Sequence, residues 1–268
     1  MLRTRVHSAV ILLPVVCLFV YLGGIPWLIG ILLTGIVAWW EMQQLLRRNQ
    51  FEVGRALGLL FVVGAIGEAY VSSIRLLPVD LLRPLLAALV IASLIWALYD
   101  KSEHPTADWG VTVGGALYLG LLLGYFVTLR QRSNGLYWVT VAFAVTWIAD
   151  TGAFFVGSTL GRHKLWPRLS PKKTWEGLAG GSAAAIIAAP LLGMWLLGLN
   201  PWYGLLLGVL IAAAGPFGDF AMSLFKRMAQ IKDTGALIPG HGGILDRLDS
   251  LLFVFPLVTF FAVIFAGA

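Results

Sequence analysis

Apolar residues in this chain come in long runs of roughly 17 to 22, each enough to cross a bilayer as a helix, parted by short polar stretches. The runs predict spans at about 6–22, 27–46, 56–72, 81–99, 111–129, 136–156, 178–199, 203–225 and 251–268. The expected fold is all-α: a polytopic integral membrane protein of about nine transmembrane helices with two polar loops. Arg3 and Arg5 before the first run resemble the start of a signal peptide. No small-x-small cleavage site follows, so a retained first helix is expected. Gly23-Gly24-Ile25-Pro26 and Asn200-Pro201 read as turns. Residues 1–109 would form four N-terminal helices serving as scaffold, dimer surface or lipid gate. Residues 110–268 would carry the site.

Composition agrees. Of 268 residues, 59% are hydrophobic and 12% charged, about half the charge of an ordinary soluble domain. Cys17 is the single cysteine, which excludes a disulfide framework and a cysteine metal site. The net charge of +6 suits an anionic leaflet and anionic ligands. With the N-terminus inside, 15 of the 19 Lys and Arg fall in cytoplasmic segments, leaving Arg75, Arg83, Arg130 and Arg132 outside. The loops 157–177 and 226–248 then face the cytoplasm. Arg130 and Arg132 fit least well.

Acids within a span are costly in a bilayer and mark candidate sites, and Glu68, Asp150 and Asp219 are singled out. Glu68 reads equally as an interhelical hydrogen bond. Gly215-Pro216-Phe217-Gly218 can break or kink the eighth span beside Asp219. The stretch 219–250 concentrates four acids, four bases and His241 in an otherwise oily chain. Asp219, Ser223 and Lys226 share one helical face, as do Asp246 and Asp249. Such oxygen-only donors suit Mg²⁺, with phosphate and water as further ligands. The same acids also read as interfacial salt-bridge partners of Arg227, Lys232 and Arg247. Pro239-Gly240-His241-Gly242-Gly243 can present backbone N–H groups to an anion, or be a plain turn. Ser170-Pro171-Lys172-Lys173-Thr174-Trp175-Glu176-Gly177 suits phosphate, or is a positive-inside anchor without ligand. It is not a Walker A sequence, and the chain has no Gly-x-Ser-x-Gly.

The 27 positions from Ser223 to Asp249 run Ser223-x-x-Lys226-Arg227, Lys232-Asp233-x-Gly235, Ile238-Pro239-x-His241-Gly242-Gly243, then Asp246-Arg247-x-Asp249. They resemble the full signature of the phosphatidate cytidylyltransferases, the CDP-diacylglycerol synthases. Asp150-Thr-Gly-Ala-Phe154 and the 170–177 segment resemble two further segments of that family. Phe154 stands where tyrosine is more usual. The resemblance covers about 147–250; the first half matches as a set of spans.

The resemblance implies transfer of CMP from CTP to phosphatidate, giving CDP-diacylglycerol and pyrophosphate at the cytoplasmic face of a bacterial inner membrane. A phosphate monoester is already largely dianionic, so the nucleophile needs charge neutralisation rather than a general base. The implied catalytic group is Asp219, Asp246, Lys226, Arg247 and Asp249. Mg²⁺ would be held by Asp219, Asp246 and Asp249. Substrate contacts would come from Asp150, Ser170, Lys172, Lys173, Thr174, Glu176, Ser223, Arg227, Lys232, Asp233, His241, Gly242 and Gly243. The resemblance also implies a monovalent cation such as K⁺ and a homodimer; no nucleic-acid partner is expected. Two other readings stay open. A CTP-dependent lipid kinase would need a base, with His241 the one His in the stretch. A transporter would need polar residues through the outer halves of the spans, and these are nearly all apolar.

Overall fold

The structure, a computed structural model, describes residues 2–76, 82–99, 101–235, 237 and 242–267. Its helices follow the apolar runs and extend beyond them into polar sequence. They are α1 (Leu2–Leu22), α2 (Gly24–Arg48), α3 (Arg55–Ser73), α4 (Leu82–Ala97), α5 (Pro105–Gln131), α6 (Gly135–Thr159), α7 (Trp175–Leu197), α8 (Pro201–Met228) and α9 (Leu245–Phe265). Seven of them are long and apolar enough to span a bilayer. The other apolar stretches, Val10–Leu22 and Arg83–Ala97, are shorter. At 1.5 Å per residue α4 reaches about 24 Å, less than the ~30 Å hydrocarbon core. The protein is a multi-pass integral membrane protein.

Two expectations are corrected. The loop 157–177 is not irregular: β1 (Lys164–Trp166) and β2 (Ser170–Thr174) pair antiparallel in it, Lys164 opposite Thr174 and Trp166 opposite Ser170. The Gly-Pro group does not break α8, which runs through Pro216. Proline removes one backbone donor there, and the helical bonds on either side carry the element past it.

The chain forms two compact units. The first comprises residues 1–131 and 228–246, the second 132–227 and 247–268. The sequence division after residue 109 put the fifth span with the second half; by packing, α5 belongs with the first. Its core is α2, α3 and α5, with Trp39, Met42, Phe61, Ile66, Leu119, Leu123 and Phe126 buried. In lipid, helices gain little from hydrophobicity alone and depend on close approach through small residues. At Gly120 of α5 an added Cβ would lie 2.9 Å from Val62 Cα and 3.1 Å from Phe61 O of α3. Arg130, the misfit of the charge pattern, donates to the carbonyls of Val20 (2.7 Å) and Tyr21 (3.1 Å), closing the C-terminal end of α1. Glu68 accepts from Ser72 one turn along α3, a bond within its own helix rather than the interhelical one expected.

In the second unit α6 and α7 lie against each other along small residues. A Cβ on Gly181 would sit 2.8 Å from Ala149 O and 2.9 Å from Ala153 Cβ. The core continues into α9, where Phe255, Val258 and Phe261 are buried and Trp138 meets Phe261 edge-on.

Gly120→Leu is expected to lower the melting temperature in detergent by several degrees, since overpacking costs about 1–3 kcal/mol. Gly114→Ala, on α5 with nothing within 4 Å of its would-be Cβ, should leave it equal or slightly higher. Equal melting of the Leu variant and wild type would contradict the close approach of α3 and α5.

Candidate active site

In the second unit the hairpin sets one lysine on one aspartate. Along a strand neighbouring side chains take opposite faces, so Lys172 and Lys173 diverge: Lys172 is exposed, while Lys173 is part-buried. Lys173 Nζ lies 2.5 Å from Asp219 Oδ2 and 4.2 Å from the centre of the Phe220 ring. The ring adds a cation–π contact and shields one side of the ion pair. Asp219 Oδ1 accepts from Ser223 Oγ at 3.3 Å, one turn on, as the shared face predicts. Asp150 of α6 and Asp249 of α9 are near enough for their charges to act on each other and on Asp219. Lys173 and Arg247 act on Asp150, and Lys226 on Asp249. Asp249 Oδ1 also accepts from Ser250 N at 2.8 Å. Three carboxylates and three bases therefore share one region, against a hydrophobic background.

Several residues expected on substrate also make contacts that hold the frame. Thr174 is the N-cap of α7, its hydroxyl accepting from Gly177 N at 3.1 Å. Glu176 in the first turn accepts from Arg162 N (3.1 Å), His163 N (3.2 Å) and His163 Nδ1 (2.5 Å). That clamps the entry to β1. Arg227 donates through Nε to Leu169 O at 3.0 Å, fastening the hairpin turn to the end of α8. Ser170 opens β2, half-buried.

In the first unit the segment before α9 is tied by side-chain oxygens. Asp246 Oδ2 accepts from Thr234 N (2.8 Å), Gly243 N (3.0 Å) and Thr234 Oγ1 (3.0 Å). Gly242 has φ +83°, a conformation that favours glycine, and a Cβ there would lie 2.6 Å from Asp246 Oδ2. Gly242 and Gly243 thus fold onto the Asp246 carboxylate, which takes the Gly243 N–H. Lys232 and Asp233 are exposed. His241, with Pro239 and Gly240, lies outside the described residues.

Sequence reasoning missed Glu41. It is fully buried in α2, and its carboxylate accepts from Thr234 Oγ1 (2.9 Å), Ile244 N (2.9 Å) and Leu245 N (3.0 Å). The signal was available: an acid in an apolar run, in Trp39-Trp40-Glu41-Met42-Gln43, of the kind that drew attention to Asp150.

The profile of the cytidylyltransferase family matches residues 3–265. The chain belongs to that family. It is therefore a nucleotidyltransferase, an enzyme. Similar proteins include the phosphatidate cytidylyltransferase of Bacillus subtilis, 32% identical over 267 residues and covering 99% of both chains. Those of Staphylococcus saprophyticus and Staphylococcus aureus are 33% and 34% identical, each covering 96% of this chain and 97% of the relative. The match to the cytidylyltransferase family extends through the N-terminal helices, where the motifs alone had shown no more than spans.

Thr174→Val, which keeps the shape and removes the capping hydroxyl, should cost about 1 kcal/mol of stability. Thr174→Ser should restore it. Both are measured by thermal unfolding; identical melting of the valine variant and wild type would deny the cap a stabilising role.

Proposed function

We propose that the protein transfers CMP from CTP to phosphatidate, releasing pyrophosphate and leaving CDP-diacylglycerol in the membrane. The Lys173–Asp219 pair carries this reading, set among Asp150, Asp249, Lys226 and Arg247 in a member of the cytidylyltransferase family. A lipid phosphate oxygen forms a bond to the α-phosphorus of CTP. The bond from that phosphorus to the oxygen bridging the β-phosphate breaks, and pyrophosphate leaves with the electron pair. No proton has to move, because the attacking phosphate is already anionic. The chain's task is positioning and charge neutralisation.

Mg²⁺ fits the donor chemistry: the carboxylates of Asp219, Asp249 and Asp150 offer hard oxygens beside bases suited to phosphate. Among the described residues no three His, Cys, Asp or Glu side chains are grouped as a metal cage. The ion would take one or two carboxylates and complete its shell with phosphate and water oxygens, as Mg²⁺ does beside nucleotides. When bound, it supplies Lewis-acid polarisation of the phosphoryl oxygens. Lys173 would then hold phosphate oxygens and Asp219 would be one of the carboxylates on the cation. Neither charge is left uncompensated. Lys226 and Arg247 hold further phosphate oxygens. The active form in this proposal is a homodimer.

The reaction is tested with purified protein in detergent, labelled CTP and phosphatidate. CDP-lipid and pyrophosphate should appear in equal amounts. Release of CDP without pyrophosphate would indicate a kinase and overturn the assignment. Asp219→Asn keeps size and one acceptor oxygen but loses the charge; activity should fall about a hundredfold or more, with the Mg²⁺ requirement moved upward. Asp246→Asn, named as a metal ligand by the resemblance, should behave likewise. Wild-type turnover with an unchanged Mg²⁺ titration would remove the metal from these residues.

We also propose that both polar segments face the cytoplasm of a bacterial inner membrane, from the distribution of Lys and Arg. In a Cys17→Ala background, Arg168→Cys and Leu237→Cys should react with an impermeant thiol reagent after cells are opened and not before. Labelling of either in intact cells would reverse the orientation.

A further inference from the structure

Glu41 belongs to none of the motifs above, yet it reaches the segment that carries Asp246. Its three donors are two backbone N–H groups at the start of α9 and one hydroxyl. The first N–H groups of a helix lack intrahelical partners, and a carboxylate there also meets the favourable end of the helix dipole. Ile244 N and Leu245 N are such groups, satisfied by an acid some two hundred residues earlier in the chain.

The hydroxyl links two carboxylates. Thr234 Oγ1 lies 2.9 Å from Glu41 Oε2 and 3.0 Å from Asp246 Oδ2. A hydroxyl carries one proton. Each carboxylate also accepts from two backbone N–H groups, Asp246 from Thr234 and Gly243 and Glu41 from Ile244 and Leu245, so the two acids share the one hydroxyl proton and Thr234 ties the position of one to the other. The packing leaves no slack: a Cβ on Gly243 would collide with both Thr234 Oγ1 and the Glu41 carboxylate, and one on Gly235 would lie 3.0 Å from Glu41 Oε1. Replacing Glu41 by a neutral side chain leaves donors facing donors.

We propose that Glu41 is a positioning residue of the cytidylyltransferase site. From α2 it fixes the backbone of residues 242–246 and, through Thr234, the orientation of the Asp246 carboxylate. This rests on the assignment of Asp246 to the catalytic group above. It gives α2 a definite part in the reaction, where the sequence suggested scaffold, dimer surface or lipid gate.

The test uses full-length protein in detergent and three variants. Glu41→Gln keeps the volume but sets an amide NH₂ among N–H and O–H donors. Thr234→Val removes the linking hydroxyl at constant shape, and Thr234→Ser retains it. In Glu41→Gln and Thr234→Val, kcat should fall about tenfold. Half-saturating Mg²⁺ should rise several-fold, and KM for CTP should change less than about threefold. Amide hydrogen exchange should quicken in 242–247 and stay unchanged in α3 and α5. Thr234→Ser should resemble wild type, and the Glu41→Gln/Thr234→Val double variant should be little worse than Glu41→Gln alone. Should Glu41→Gln fail to fold, Thr234→Val still decides. Exchange that quickens throughout the protein, or wild-type kcat and Mg²⁺ dependence in Thr234→Val, would overturn the positioning role. A wild type without cytidylyltransferase activity would sink the functional reading and the positioning role with it, while locally quickened exchange would still report the anchor.

Discussion

A carboxylate with no exposed surface in a membrane helix is a demanding thing to build. Removing an ion from water costs several kcal/mol even after relaxation, and at Glu41 three hydrogen-bond donors offset it. Those donors are in place when Thr234, Ile244 and Leu245 hold one arrangement of the segment before α9. The constraint runs both ways. The loop depends on the acid for its backbone partners, and the acid depends on the loop for its solvation. The packing of α2 against α3 and α5, through Gly35 beside Val62, Ile66 and Leu123 and through Trp39 over Gly58, fixes where Glu41 stands. The N-terminal helices therefore have a reason to be rigid beyond crossing the bilayer.

The same logic explains the hairpin. Backbone groups near hydrocarbon must find partners in the protein. Between α6 and α7 they find them in β1–β2 pairing, in the Thr174 cap, in the Glu176 carboxylate and in Arg227. Polar residues that look alike in sequence thus divide into two kinds. Thr174, Glu176 and Arg227 spend hydrogen bonds on the main chain and give the strand its place. Lys173 is left to meet Asp219.

The spans were legible because a 20-residue apolar run has few alternatives in water or lipid, and the helices fall on them within a few residues. Their ends were less so. α9 starts at Leu245, six residues before the apolar run, because the N–H groups there are capped by Glu41 and the carboxylate of Asp246 ties down the turn before them. The i, i+4 relation of Asp219 and Ser223 was readable from spacing alone and is made in the structure. The pairing of Lys173 rather than Lys172 was not, since it depends on the strand alternation of a segment taken for a loop. Glu41 was visible as an acid in an apolar run. Its partners were not, because a long-range hydrogen bond to backbone N–H groups leaves no mark on the residues that donate. Arg130 gave the opposite error: a charge in an awkward place by topology is explained by two carbonyls at the end of α1.

In the proposed reaction the ion pair of Lys173 and Asp219 would be the feature a metal–nucleotide meets. A lone carboxylate beside Phe220 and near two further acids would be strongly disfavoured, and a lone ammonium hardly better. Paired at 2.5 Å, part-buried and covered on one side by the ring, each solves the other's problem. A partly exposed pair of this kind contributes only modestly to stability, and that is its use. On the proposed function, a ligand bringing both a cation and an anion would replace both partners at small net cost. A ligand bringing one charge alone would leave either Lys173 or Asp219 without a counter-charge. Discrimination between a metal-bound polyphosphate and a bare phosphate or bare cation can therefore begin with this pair, before any base or lipid chain is recognised.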